Sequence, residues 1–336
     1  MRHYFSLRSS ASRVLCGALA LVLLAGCTNS RTPLAAQPTP PAQTATPTPA
    51  PTPLPTPTPT PTPCRPSTPM VRVPSADGSV VSGNALASLD ASNSSEGYIM
   101  VRYTGGNPKV KLQLTGPNGI TYTYTLHGEN GYETFPLTAG SGSYAVNVFE
   151  NVGGTDYVYA MSDTISAEIV DENLPYLYPN QYVNFNADST VVAKGAELAA
   201  NAMTELDVVD AVYNFVIANI SYDYGKAESV KSGYLPVVDD ILASGLGICF
   251  DYSAVMATML RTQNIPTRLD VGWAGDIYHA WISVYITDIG WINGIIEFDG
   301  VSWKRMDPTF ACNGGQSDSI MAFINNSGNY NTKYTY

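Results

Sequence analysis

Two periodicities divide the chain. From about Val71 to Val170 apolar and polar residues alternate in short runs: YIMVRY (98–103), KVKLQLTG (109–116), ITYTYTL (120–126), YETFPL (132–137), SYAVNVFEN (143–151) and TISAEIV (164–170). They are rich in Val, Ile, Tyr and Thr, which suit a pleated, half-buried surface, and Gly-Gly, Pro-Asn-Gly and Glu-Asn-Gly separate them. Six or seven strands at this spacing predict an N-terminal antiparallel β-sandwich, Ig-like in class.

After Pro175 the period lengthens. STVVAKGAELAANAM (189–203) and ELDVVDAVYNFVIANI (205–220) place apolar residues three and four apart, which is helical spacing. DDILASG (239–245) is a short helix closed by a glycine, and a further helix is predicted from about Phe250 to Gln263, with Val255, Met259 and Leu260 on one side. Strand-like runs follow: TRLDVGWA (267–274), YHAWISVYI (278–286), GIIEFD (294–299) and VSWKRM (301–306). Asp299-Gly300 joins the last two as a hairpin signal. Helices first and sheet second make this half α+β.

The beginning of the chain carries no such patterning. Arg2, Arg8 and Arg13, the apolar run Val14 to Leu24 and the small residues before Cys27 read as an export signal over residues 1–26. Leu24-Ala25-Gly26-Cys27 resembles a bacterial lipobox, which implies lipid attachment at Cys27 and an extracytoplasmic protein held on the cell membrane. A plain secretory cleavage site is the alternative. Residues 27–69 form a further segment in which the roughly thirty residues from Gln37 to Pro69 are dominated by Thr-Pro alternation, and 15 of the 24 prolines fall between Pro33 and Pro69. Proline has no N–H for a ladder, so this segment is expected to be a disordered, extended stalk; at about 3.1 Å per residue it reaches on the order of 90 Å. The remaining length exceeds one ordinary core, and divides into a sandwich domain over 70–172 and an α+β domain over 173–336.

Charge and cysteine content narrow the chemistry. Without the three arginines of the signal, 14 basic residues face 28 acidic ones. Such a surface repels phosphate backbones, so nucleic acid is not expected as a partner. Only His127 and His279 remain of the histidines, and there is no Cys-x-x-Cys, too few ligands for a zinc site; no metal or cofactor is expected. His127 lies beside Gly128 in a predicted hairpin turn and reads as structural. Cys64, Cys249 and Cys312 are an odd number of thiols in an oxidising exterior, so one stays free.

Cys249 is either a small apolar core residue or a nucleophile at a helix start. At a helix N-terminus unsatisfied N–H groups and the helix dipole stabilise a thiolate and can hold an oxyanion. Gly245 and Gly247 before it let the backbone bend and a substrate approach closely. His279, at the start of a strand whose opposite face carries Ala280, Ile282, Val284 and Ile286, is the histidine within reach to act as base. Asp307, held at a strand end by the following proline, is the candidate to orient the imidazole; Asp251, Asp270 and Asp276 are weaker rivals. Asp251, one turn into the helix, more naturally serves the helix dipole. Cys312, five residues past Asp307, reads as an exposed thiol or as a redox partner of Cys249.

The order Cys…His…Asp within GICFDYSAVMATMLRTQNIPTRLDVGW, YHAWISVYI and WKRMDPTF resembles the transglutaminase-like superfamily over roughly Asp207 to Phe310, including ISYDYGKA upstream. The resemblance implies a papain-like fold, with Cys249 as nucleophile, His279 as general base and acid, and Asp307 as orienting carboxylate. Tyr222, Tyr224, Gly247 and Trp281 are the candidates to line the substrate site: the tyrosines fall where the family often places such a residue, and Gly247 and Trp281 flank the two motifs. The segment 287–300 is longer than the shortest such connections, which leaves open which strand lies beside the histidine. The implied reaction is acyl transfer through a thioester on a protein or peptide substrate, cell-wall associated or free. Cross-linking, deamidation and proteolysis share that triad; a peptidase or amidase is the preferred reading. A catalytically inert cell-surface binding module is the competing one.

Overall fold

The computed structural model describes residues 64–127, 131–298, 303–306 and 327–336. Cys27, Asp307, Cys312 and the Asp299-Gly300 turn lie outside the described residues, as do the signal and nearly all of the stalk.

Eight strands come first: β1 (Val81–Gly83), β2 (Ala87–Asp90), β3 (Tyr98–Tyr103), β4 (Val110–Thr115), β5 (Thr121–Leu126), β6 (Glu133–Pro136), β7 (Gly142–Gly153) and β8 (Asp156–Ala167). They form two antiparallel four-stranded sheets, β1-β2-β3-β6 and β5-β4-β7-β8. The alternation read from β4 is realised: Val110, Leu112 and Leu114 are buried and the residues between them half-buried. On that face Leu112 stands between Tyr124 and Val148, and Leu114 between Tyr122 and Val146. Burying each such aliphatic side chain stabilises the fold by roughly 1.5–3 kcal/mol. The sequence did not announce β1 or β2. It also placed the last strand at 164–170, whereas β8 starts at Asp156, because Val158 and Tyr159 are exposed and break the alternation.

The second half begins with helices α1 (Thr190–Ala199) and α2 (Glu205–Asn219), strand β9 (Ser221–Tyr222), helices α3 (Tyr224–Ser229) and α4 (Val238–Ser244) and strand β10 (Leu246–Gly247). Helix α5 (Cys249–Arg261) then leads into β11 (Thr267–Ala274), β12 (Ile277–Ile286), β13 (Gly290–Ile292), β14 (Ile295–Phe298), β15 (Trp303–Met306) and β16 (Tyr330–Thr335). A sheet of order β13-β12-β11-β16 is antiparallel throughout, and β14 and β15 make a separate hairpin.

Helix α5 is the axis of this half. The periodicity predicts one apolar side, yet every residue from Asp251 to Arg261 is buried, because β11 and β12 cover one flank while α1, α2 and α4 cover others. A helix enclosed on all sides needs small residues where backbones meet. Gly195 of α1 is one: a Cβ there would lie 3.1 Å from the Cα of Met259. Local signals set the helix ends. Thr204 and Asp207 exchange side-chain-to-backbone hydrogen bonds at the start of α2, and α4 stops at Gly245 with a positive φ of 63°.

The chain end closes the sheet and joins the two halves. Strand β16 pairs with β11, and Thr335 N donates to the Tyr122 hydroxyl at 3.3 Å. Tyr336 packs edge-on to Tyr122, Tyr124 and Tyr182, with centroids 5.6, 6.0 and 4.4 Å away. Arg261, fully buried, donates to the carbonyls of Tyr178, Thr267 and Tyr336 at 2.7–3.0 Å.

Candidate active site

The parallel pair β9–β10 sets Tyr222 beside Gly247, just before the chain turns into α5. Ile248 is extended, and Cys249 is the first helical residue. Its thiol thus sits among the unpaired N–H groups of the first turn, at the positive end of the dipole. Cys249 is half-buried and free of any disulfide. Asp251 caps this end: its Oδ2 accepts from Ile248 N at 2.9 Å.

His279 lies on β12 directly opposite Gly272 of β11, and is 4% exposed. Cys249 and His279 line one cavity of about 440 Å³, together with Tyr222, Tyr234, Tyr278 and Tyr336. Residues scattered along the sequence therefore line one open cavity, which brings a candidate nucleophile and a candidate base to the same site. Burial comes first among the causes that push the Tyr234 and Tyr182 hydroxyls up to about 12, and it also raises Tyr222, Tyr278 and Tyr336. The walls thus present neutral phenols at physiological pH.

The remaining sequence candidates have definite places. Tyr222 faces the cavity. Tyr224 packs edge-on against it at 5.0 Å and is itself exposed, outside the walls. Gly247 is buried behind the cavity, where a Cβ would come 2.8 Å from that of Asp251. Trp281, two residues along β12 from His279, is buried against Tyr330 with centroids 5.1 Å apart. Asp307 and Cys27 fall outside the described residues. Of the rival carboxylates, Asp251 is engaged at the helix cap, and Asp270 accepts from the Ser283 and Thr335 hydroxyls at 2.6 and 2.7 Å. Asp276 is exposed in the turn between β11 and β12. His127 pairs with Glu133 at 3.1 Å.

Sequence reasoning missed Tyr182, Lys226, Tyr234 and Tyr336. Lys226 Nζ lies 2.7 Å from Asp251 Oδ2 and 2.7 Å from the Tyr234 hydroxyl, which in turn donates to Asp251 Oδ1 at 2.6 Å. The one signal was ISYDYGKA, quoted for its tyrosines and not for its lysine.

Residues 193–294 match the model of the transglutaminase-like superfamily. The chain carries a transglutaminase-like domain. This superfamily includes cysteine-dependent acyltransferases and proteases, so the domain is of a thiol-enzyme class. No curated protein matches the chain. Among solved structures, a presumed cysteine protease of Cytophaga hutchinsonii is similar at 17% identity and TM-score 0.33, over 52% of this chain and 60% of its own. A structure described as a TGase has 18% identity and TM-score 0.28, over 51% of this chain and 45% of its own. Red sea bream transglutaminase has 14% identity and TM-score 0.27, over 68% of this chain and 53% of its own. The chain thus spans roughly half the length of these neighbours.

Proposed function

We propose that the protein is a cysteine-dependent enzyme that breaks or exchanges amide bonds of proteins or peptides. The observation that carries this reading is the shared cavity of Cys249, at the start of a buried helix, and His279, on the sheet beside it. In the proposed reaction His279 takes the thiol proton and the thiolate attacks the carbonyl carbon. The C–N bond breaks, His279 gives its proton to the departing amine or ammonia, and a thioester remains. Water then releases an acid, or a primary amine forms a new amide; either step returns the thiol. The first-turn N–H groups of α5 are the donors for the oxyanion. Asp307 is assigned the orienting role in this reading, on the Asp-Pro-Thr motif of the sequence.

The half-exposed setting of Cys249 leaves the thioester open to water, which favours hydrolysis, as peptidase or amidase, over cross-linking. The N-terminal sheets are assigned an Ig-like sandwich, and the Thr-Pro stalk with a lipidated Cys27 is assigned to holding the enzyme on the outer face of a bacterial membrane. Incubation with a peptide library, with and without a primary amine, tests the reaction by mass. Shortened peptides indicate proteolysis, a gain of about one dalton deamidation, and amine adducts cross-linking, each abolished by Cys249→Ala. Products that persist in Cys249→Ala, or none with any library, overturn the proposal in favour of an inert binding module.

A further inference from the structure

The Asp251 carboxylate is fully buried, only two residues along the helix from Cys249. A buried anion there opposes the formation of a second anion on the thiol. Its protein partners are unusually complete for a helix cap. One oxygen accepts from Ile248 N and from Lys226 Nζ, and the other from the Tyr234 hydroxyl. Lys226 reaches in from α3 with its ammonium over the Tyr234 ring, 4.7 Å from the centroid. Tyr234 is also a wall of the cavity, as are Ala227 and Val230 on either side of the α3 C-terminus.

We infer that Lys226 is a positioning residue for Cys249: it cancels the charge of Asp251 and, with Tyr234, pins the 224–236 wall of the cavity to the start of α5. This rests on the proposed role of Cys249 as nucleophile. Burial pulls the Lys226 ammonium down, but its bonds to Asp251 and Tyr234 outweigh that and hold it above the ordinary lysine range. It therefore stays charged wherever the enzyme works. Charge on Cys249 and on Asp251 both act on the Tyr222 hydroxyl, after burial, so the thiol and the carboxylate share one electrostatic neighbourhood.

The other titratable groups facing Cys249 belong to different elements. They are Tyr222 of β9, Lys231 and Tyr234 after α3, Tyr278 and His279 of β12, and Tyr182 and Tyr336 beside them. Lys231 is exposed and screened by solvent, and the tyrosines are neutral at the pH of interest, so the half-buried Lys226, bonded directly to Asp251, is the cation placed to offset it.

The test is the pH profile of Cys249 alkylation by iodoacetamide, in a protein whose Cys64 and Cys312 are serine. Lys226→Met is expected to move the midpoint up by about one unit, a tenfold loss of thiolate at lower pH. Asp251→Asn, whose amide oxygen still caps Ile248 N, is expected to move it down. The double variant Lys226→Met/Asp251→Asn returns it to the starting value, and Lys226→Arg leaves it there. Should Lys226→Met fail to fold, a midpoint in Asp251→Asn equal to or above the parent's still overturns the inference. So does a double variant that remains shifted. If the parent itself alkylates only near the ordinary thiol value of about 8.5, the nucleophile reading fails instead.

Discussion

Gly272 of β11 stands opposite His279 of β12, at the point where the β11–β16 register shifts. A Cβ on Gly272 would lie 2.0 Å from the Asn331 carbonyl oxygen and 2.9 Å from Lys333 N, both backbone atoms that cannot rotate away. The absence of a side chain is what lets β16 approach the strand that supports the histidine's neighbour.

Gly272→Ala is therefore expected to push β16 outward at a cost of about 1–3 kcal/mol. Thermal unfolding measures the loss, and alkylation of Cys249 falls with it because Tyr336, at the end of β16, is a wall of the same cavity. Unchanged stability would show that the register shift relaxes freely.

Gly247→Ala acts on the other side of the site. The new methyl meets the Cβ of Asp251 at 2.8 Å and displaces the cap on which the first turn of α5 rests. A slower alkylation of Cys249, by about tenfold or more at neutral pH, is expected together with a loss of stability of about 1–3 kcal/mol in thermal unfolding.

His279→Gln keeps a polar side chain of similar length but removes the imidazole proposed as the base. The alkylation midpoint of Cys249 then rises towards the ordinary thiol value of about 8.5, and turnover of the peptide library is lost. A profile identical to the parent's would separate His279 from the thiol.

Arg261→Met leaves the carbonyls of Tyr178 and Thr267 without this donor, while the Tyr336 oxygen keeps only Leu269 N. Each buried unsatisfied group costs about 1–3 kcal/mol, whereas removing the desolvated charge recovers part of the sum. A net loss of about 3 kcal/mol is expected in urea unfolding, along with release of the chain end. A variant as stable as the parent would mean that the charge's desolvation is the larger effect.

Asp270 gives a pH dependence. Burial raises its pKa above 3.8, partly offset by hydrogen bonds from Ser283 and Thr335 and by Arg268. A carboxyl with a raised folded pKa holds its proton longer when folded than when unfolded. Its contribution to stability is therefore greatest below 3.8 and is lost as pH rises through the folded value. Asp270→Asn removes that slope, so the difference in stability between variant and parent, followed by denaturant titration from pH 3 to 7, should move in the variant's favour from about 3.8 up to the folded value and then level off.

Much of the candidate site was legible because its signals are local. Gly-x-Cys before an apolar run marks a helix start, and YHAWISVYI has the composition of a strand; the structure begins α5 at Cys249 and runs β12 from Ile277 to Ile286. The lysine at 226 was not legible, since one cation on a short helix has no pattern until its partner is known. Nor was the tyrosine end: Tyr330, Tyr334 and Tyr336 suggest a final strand, aromatic edges or packing, and the fold makes β16 of this segment and Tyr336 a wall of the cavity. Burial around α5 was underestimated for a related reason. Periodicity reports one partner face, and cannot count how many elements converge on a helix.

By itself the sequence determined most of the helices and strands around the site, and which thiol and imidazole are the candidates for reactive chemistry. Those properties depend on neighbours a few positions away. Only the tertiary structure decided that Cys249 and His279 line one cavity, that Lys226 meets a buried Asp251, and that the last residues close the sheet beside Gly272. Distances between residues far apart in the chain follow from packing many faces at once, a condition that no single segment encodes.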